Sequence, residues 1–150
     1  SGYFPVEHLI AALEDKNPHV RYEIAWVLDY INDSRGDDAL ITFMKKKDFA
    51  VIGGAYSFFI SRGEAGAENL LIKALNKYGD IVMAMDFINS GNSQLEASGN
   101  EWVKRHGYTF ISRIDGGAGK KWGSGKQPAS EMENSEGKPV KKKAIKKMLQ

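Results

Sequence analysis

The residue types that most often carry chemistry are scattered along this chain of 150 residues. His8, His19 and His106 lie far apart in sequence, and no cysteine accompanies them, so their spacing predicts no metal site. Glu14 and Asp15 fall at the end of a predicted helix, where capping and the helix dipole explain them without catalysis. No serine lies in a nucleophile-elbow motif.

One glycine- and lysine-rich segment, GGAGKKWGSGK at positions 116–126, has the composition of a phosphate-binding loop. Its spacing departs from G-x-x-x-x-G-K-[ST], and no buried strand precedes it. The residues therefore predict no enzyme: we assign no catalytic residue, no cofactor and no metal.

Helical spacing brings three aromatic residues onto one stripe. Tyr22, Trp26 and Tyr30 are spaced i, i+4, i+8, and Arg21 and Glu23 flank the first of them. Large amphipathic aromatics are the residues that anchor protein interfaces, so these five are predicted to bind a partner. The alternative is that Trp26 and Tyr30 pack against the next pair of helices, and the sequence leaves both interpretations open.

A cluster of lysines lies near the C-terminus: Lys141, Lys142, Lys143, Lys146 and Lys147. Clustered lysine attracts nucleic acid, acidic protein or an anionic membrane surface, and PVKKK resembles a nuclear-import signal. A solvated tail without a partner is the alternative interpretation.

Charge and composition divide the chain into two parts. Before Ile114, 12 Lys and Arg residues oppose 15 Asp and Glu residues, a net charge of −3; from Ile114 onward, 9 lysines oppose 4 acids, a net +5. We predict a helical domain over residues 1–113 and a flexible Gly/Ser/Lys-rich basic tail over residues 114–150. Apolar runs are too short to span a membrane, so a soluble, cytoplasmic protein is expected, or a nuclear one if the chain is eukaryotic.

The body of the chain carries apolar residues at helical spacing, interrupted by Gly, Asn, Asp and Pro. The pattern predicts seven short helices between Pro5 and Gly107, with a break at Pro18. Gly53 and Gly54 lie inside the fourth predicted helix, which indicates a bend or the close approach of a neighbouring helix.

Two windows of the sequence have the same layout at a spacing of about 28 residues: RGEAGAENLLIKALNKYG from Arg62 and SGNSQLEASGNEWVKRHG from Ser90. Self-similarity at this period is typical of stacked helix pairs. The first unit, LIAALEDKNPHVRYEIAWVLDYIND, resembles the HEAT-like repeats of phycobilisome-lyase-type proteins, and the resemblance fades beyond about residue 90.

This resemblance implies architecture only. Together with the helical pattern it predicts an all-α, short right-handed α-solenoid of about three HEAT-like helix pairs plus a capping helix, and the composition predicts that a disordered basic C-terminal tail follows. The predicted core residues are Leu28, Phe43, Phe59, Leu75, Phe87 and Trp102.

The sequence therefore predicts a non-enzymatic protein-interaction module or scaffold that binds a peptide or helix on its concave helical surface, and we expect a monomer. Binding of nucleic acid or an anionic surface through the tail is the alternative. The resemblance alone implies a second alternative, an accessory subunit of a chromophore-lyase-type enzyme.

Overall fold

The computed structural model describes residues 5–108 and 119–125, and in these ranges the chain is all-α. The all-α prediction is confirmed. The described part contains eight helices: α1 (Val6–Ala12), α2 (Pro18–Ile31), α3 (Ser34–Lys45), α4 (Phe49–Gly54), α5 (Tyr56–Arg62), α6 (Glu68–Tyr78), α7 (Ile81–Ile88) and α8 (Ser93–Arg105).

The first helix boundaries follow from capping chemistry. Asn17 caps α2 by accepting a hydrogen bond from the backbone N–H of His19 at 2.9 Å, and Pro18 takes the first helical position, as predicted. α3 begins at Ser34, because the Asp33 carboxylate accepts from the N–H of Arg35 at 2.9 Å and caps the helix there.

The fourth predicted helix is divided into α4 and α5 at Ala55, and both explanations offered for Gly53 and Gly54 apply. α2 crosses α4 so closely that a Cβ atom built on Gly54 would lie 2.1 Å from the carbonyl oxygen of Tyr22. Only glycine allows this approach, which fixes the position of α2 relative to α4 and α5.

The packing of the first four helices differs from that of the last three. α1 contacts α3 and α2 contacts α4, so corresponding helices of the first two predicted pairs lie side by side. The third predicted pair differs: α7 packs mainly against α8, while α6 packs against α4 and α8. α7 is thus paired with α8, and the predicted solenoid of helix pairs stays a prediction.

The core runs through these contacts. All six predicted core residues are buried, with Leu28, Leu75 and Phe87 having no exposed surface. Burial of a large apolar side chain contributes roughly 1.5 to 3 kcal/mol, so these positions supply much of the stability that holds the short helices together.

Residues 119–125 belong to the segment predicted as a flexible tail, and the structure instead docks them on the helical body. The backbone N–H groups of Trp122 and Gly123 donate to the carbonyl oxygens of Ser90 and Ile60, at 2.8 and 2.9 Å. The Trp122 side chain is half-buried against the core. We call residues 119–125 the docked segment; the Lys120 and Lys121 side chains on it are exposed.

Candidate functional site

The predicted aromatic stripe on α2 divides into a packed residue and two exposed ones. Tyr22 is half-buried: its ring lies next to Gly53, and its centroid is 6.3 Å from that of Tyr78 on α6. Tyr22, which was predicted to bind a partner, thus packs between helices and joins α2 to α4 and α6.

Trp26 and Tyr30 lie on the surface of α2. Their side chains are exposed, at 54% for Trp26 and 80% for Tyr30, and their rings stack at 5.9 Å with an interplanar angle of 14°. Stacking on each other gives these rings a defined orientation although neither is buried. Neither residue packs in the core, so the structure contradicts the packing interpretation for this pair.

The two charged residues that flank Tyr22 have different surroundings. The Arg21 guanidinium pairs with the Asp48 carboxylate at 3.0 Å and donates to the carbonyl oxygen of Asp15 at 2.9 Å. Arg21 therefore holds together the turns before α2 and α4, and its predicted contact with a partner stays a prediction. Glu23 is exposed.

Trp26 and Tyr30 border a cleft of about 720 Å³ between α2, the start of α5, α7 and the docked segment. Its volume lies within the range of about 300 to 1,000 Å³ that is common for ligand sites. Four aromatic residues and three charged residues line the cleft, namely Trp26, Tyr30, Tyr56, Phe58, Asp29, Asp86 and Lys120.

Tyr56 and Asp86 form the floor of the cleft. The Tyr56 hydroxyl donates a hydrogen bond to the Asp86 carboxylate, which links α5 to α7. Burial, this hydrogen bond and the negative charges of Asp86 and Asp80 all raise the pKa of the Tyr56 phenol above its ordinary value. Tyr56 is therefore a neutral hydrogen-bond donor at physiological pH, which excludes a role as a phenolate base.

The docked segment forms one wall of the cleft through glycines that permit close contact. A Cβ atom built on Gly119 would lie 2.7 Å from an Asp86 carboxylate oxygen, and one on Gly125 would lie 1.9 Å from the hydroxyl oxygen of Ser61. The N–H of Gly125 donates to the carbonyl oxygen of Ser61 at 3.1 Å. The segment thereby occupies carbonyl groups at the end of α5.

No protein-family model, curated protein or solved structure matches the chain. The HEAT-like resemblance thus stays an expectation, and a functional argument has to start from the cleft.

The other residues considered from the sequence lie away from this cleft. His19 meets the Tyr78 ring edge-on, and His106 stacks on Trp102 with ring centroids 3.8 Å apart. Over residues 5–108 and 119–125 no three His, Asp or Glu side chains gather in a metal-binding group, and no helix is long and apolar enough to cross a membrane. The lysine cluster from Lys141 to Lys147 lies outside the described residues.

Tyr56 and Asp86 are site residues that local sequence patterns do not predict. Asp29 follows Trp26 by three positions, so helical spacing alone places it near the exposed rings. Tyr56 and Asp86 come from two other helices, and only the packing of those helices brings them to the cleft.

Proposed function

We propose that this protein is a non-enzymatic interaction module that binds a peptide or helix through Trp26 and Tyr30. The observation that supports the proposal is that two large aromatic side chains are exposed and stacked at the edge of a cleft. Tryptophan and tyrosine are the residue types most enriched at the energetic centres of interfaces.

The physical argument is one of preorganisation. Binding costs free energy because side chains at the interface lose rotational freedom, by about 0.5 to 1.5 kcal/mol for each flexible side chain. The Trp26 and Tyr30 rings already stack on each other, so a partner would order them at a smaller cost. Truncation of such an anchor typically weakens binding by about 2 kcal/mol or more.

The proposal includes a HEAT-like arrangement of α1 to α4. Its support is that α1 lies beside α3 and α2 beside α4, which is how successive helix pairs stack in solenoids. The second helices of such pairs line the surface that usually binds partners, and Trp26 and Tyr30 lie on one of them.

The test is a selection from a displayed library of random peptides against the intact chain. We expect the selected peptides to lose affinity for Trp26→Ala and Tyr30→Ala by at least ten-fold, the equivalent of about 1.4 kcal/mol. Val82→Ala is the matched control, because Val82 is 60% exposed on α7 and lies outside the cleft lining.

Circular dichroism and thermal melts of each variant provide the fold control. Both aromatic variants should retain wild-type stability, since the rings they lack are exposed. The proposal fails if no peptide is selected, or if the selected peptides bind the Trp26→Ala and Tyr30→Ala variants as tightly as the wild type.

A further inference from the structure

We infer that the partner of this cleft is a basic peptide, one of whose Lys or Arg side chains enters between the Trp26 and Tyr30 rings and the carboxylates of Asp29 and Asp86. The inference rests on the proposed function and specifies its partner class. Three observations lead to it: the type of ring at the edge, the electrostatics of the floor and the charge of the docked segment.

The rings at the edge of the cleft suit a cation. The face of an aromatic ring carries partial negative charge, and tryptophan binds cations better than the other aromatic side chains do. Trp26, Tyr30 and Tyr56 all line the cleft, and Trp26 and Tyr30 present exposed surface to it. The aliphatic stem of a lysine or arginine would pack on the same rings.

The floor of the cleft carries a negative potential. Two carboxylates, Asp29 and Asp86, line it. Burial is the largest cause of the raised pKa of Tyr56, and the hydrogen bond to Asp86 and the charges of Asp86 and Asp80 add to it. The carboxylates at the cleft favour a positively charged group there.

The docked segment brings a lysine to this cleft within the chain itself. Lys120 lines the cleft, and the adjacent Gly119 contacts the Asp86 carboxylate. Lys121 donates to the carbonyl oxygen of Asn89, just after α7, where the helix dipole favours a cation. A Gly-Lys-Lys-Trp-Gly segment thus already lies on this surface, and a basic peptide has the same chemistry.

The net charge of the helical body agrees with this partner. Residues 5–108 contain 11 Lys and Arg residues and 15 Asp and Glu residues, a net charge of −4. An acidic peptide would therefore meet repulsion both from the body and from the floor of the cleft. Lys120 is the one cation among the described residues that line the cleft, and a basic partner would compete with it for this surface.

The experiment uses the intact chain and three fluorescently labelled peptides of equal length. All three have the same Ala-Leu spacers, which alternate with Lys in the first peptide, with Gln in the second and with Glu in the third. Affinity is measured by fluorescence anisotropy at low and at high salt. We expect the Lys peptide to bind at least ten-fold more tightly than the Gln peptide at low salt, and the Glu peptide to bind most weakly.

Two substitutions change the charge of the cleft in opposite directions. Asp86→Asn removes a negative charge and keeps an oxygen that can accept from the Tyr56 hydroxyl. It should lower the affinity for the Lys peptide by about three- to ten-fold and leave the affinity for the Gln peptide unchanged. Lys120→Gln removes the lysine that lines the cleft and should raise the affinity for the Lys peptide several-fold. Glu101→Gln is the matched control, because Glu101 is exposed on α8 and does not line the cleft.

The outcomes separate the inference from the proposed function. If all three peptides bind equally and all lose affinity in Trp26→Ala, the interaction module stands and the basic partner is overturned. If Asp86→Asn and Glu101→Gln weaken the Lys peptide equally, attraction is diffuse and the cleft is not the site. If the peptides selected from the library also bind Trp26→Ala as tightly as the wild type, the proposed function itself is wrong.

Discussion

Substitution of Gly54 by alanine tests the contact that places α2, and with it Trp26 and Tyr30, beside the cleft. The new Cβ atom would lie 2.1 Å from the Tyr22 carbonyl oxygen and 3.0 Å from the Ala25 Cβ, and both neighbours belong to α2. A backbone atom cannot rotate away, so the two helices have to separate. Overpacking of this kind costs about 1 to 3 kcal/mol.

Helix propensity acts in the opposite direction, because replacing a helical glycine by alanine stabilises a helix by about 1 kcal/mol. The steric cost should be about 3 kcal/mol, since the nearest neighbour is a backbone oxygen. The free energy of unfolding should therefore fall by about 2 kcal/mol. In urea, with a slope of about 2 kcal/mol per molar, the unfolding midpoint should fall by about 1 M.

Gly53 is the control one residue away. Its added Cβ would meet the Cε2 atom of the Tyr22 ring at 3.3 Å, a side-chain atom that can shift by a few tenths of an ångström. The free energy of unfolding of Gly53→Ala should therefore lie within about 1 kcal/mol of that of the wild type. The reasoning fails if Gly54→Ala is as stable as Gly53→Ala in the same urea titration.

Two further predictions concern the docked segment and the floor of the cleft. Trp122→Ala should destabilise the protein by about 2 kcal/mol and remove the hydrogen-exchange protection of the amides at positions 122 and 123, because this half-buried ring packs on the core. Trp26→Ala truncates an exposed ring, so its free energy of unfolding should stay within about 0.5 kcal/mol of the wild type. Equal losses of stability in the two variants would contradict the docking. The pKa of Tyr56 is raised in the folded state, so its contribution to stability is complete below the unfolded-state pKa near 10.0 and is lost as the pH rises from there through the folded-state pKa. The free energy of unfolding should therefore fall more steeply above pH 10.0 in the wild type than in Tyr56→Phe. Equal slopes would contradict the assignment.

Helix positions and the core were accessible from the sequence because they depend on local chemistry and on periodicity. Pro18 marks the start of α2, glycines mark the division of α4 from α5, and the apolar spacing identifies buried residues such as Leu28 and Phe87. Each of these features is determined within one or two turns of helix, where side-chain spacing reports directly on which face is buried.

Tertiary choices were not accessible in the same way. Tyr22 and Trp26 are both aromatic, occupy the same stripe and differ by one turn. Only Tyr22 is covered, because Gly53 of α4 and Tyr78 of α6 lie against its ring. The docked segment is similar: its composition of Gly, Ser and Lys predicts disorder, and the contacts that order it are made by backbone N–H groups, which no side-chain pattern reveals.

One long-range regularity does connect the sequence to the cleft. Trp26, Tyr56 and Asp86 follow one another at intervals of thirty residues, close to the period of the self-similar windows, and all three line the same cleft. When helical units of one length stack, residues one period apart come to lie side by side on the same face. The Tyr56 hydroxyl donates to the Asp86 carboxylate, so two residues thirty positions apart do meet. This contact joins α5 to α7, while α7 packs mainly against α8. The three positions supply this cleft with an indole ring, a neutral phenol and a carboxylate. Aromatic rings and carboxylates thus line one cleft, and these are the two environments that the stem and the charged end of a lysine or arginine side chain require.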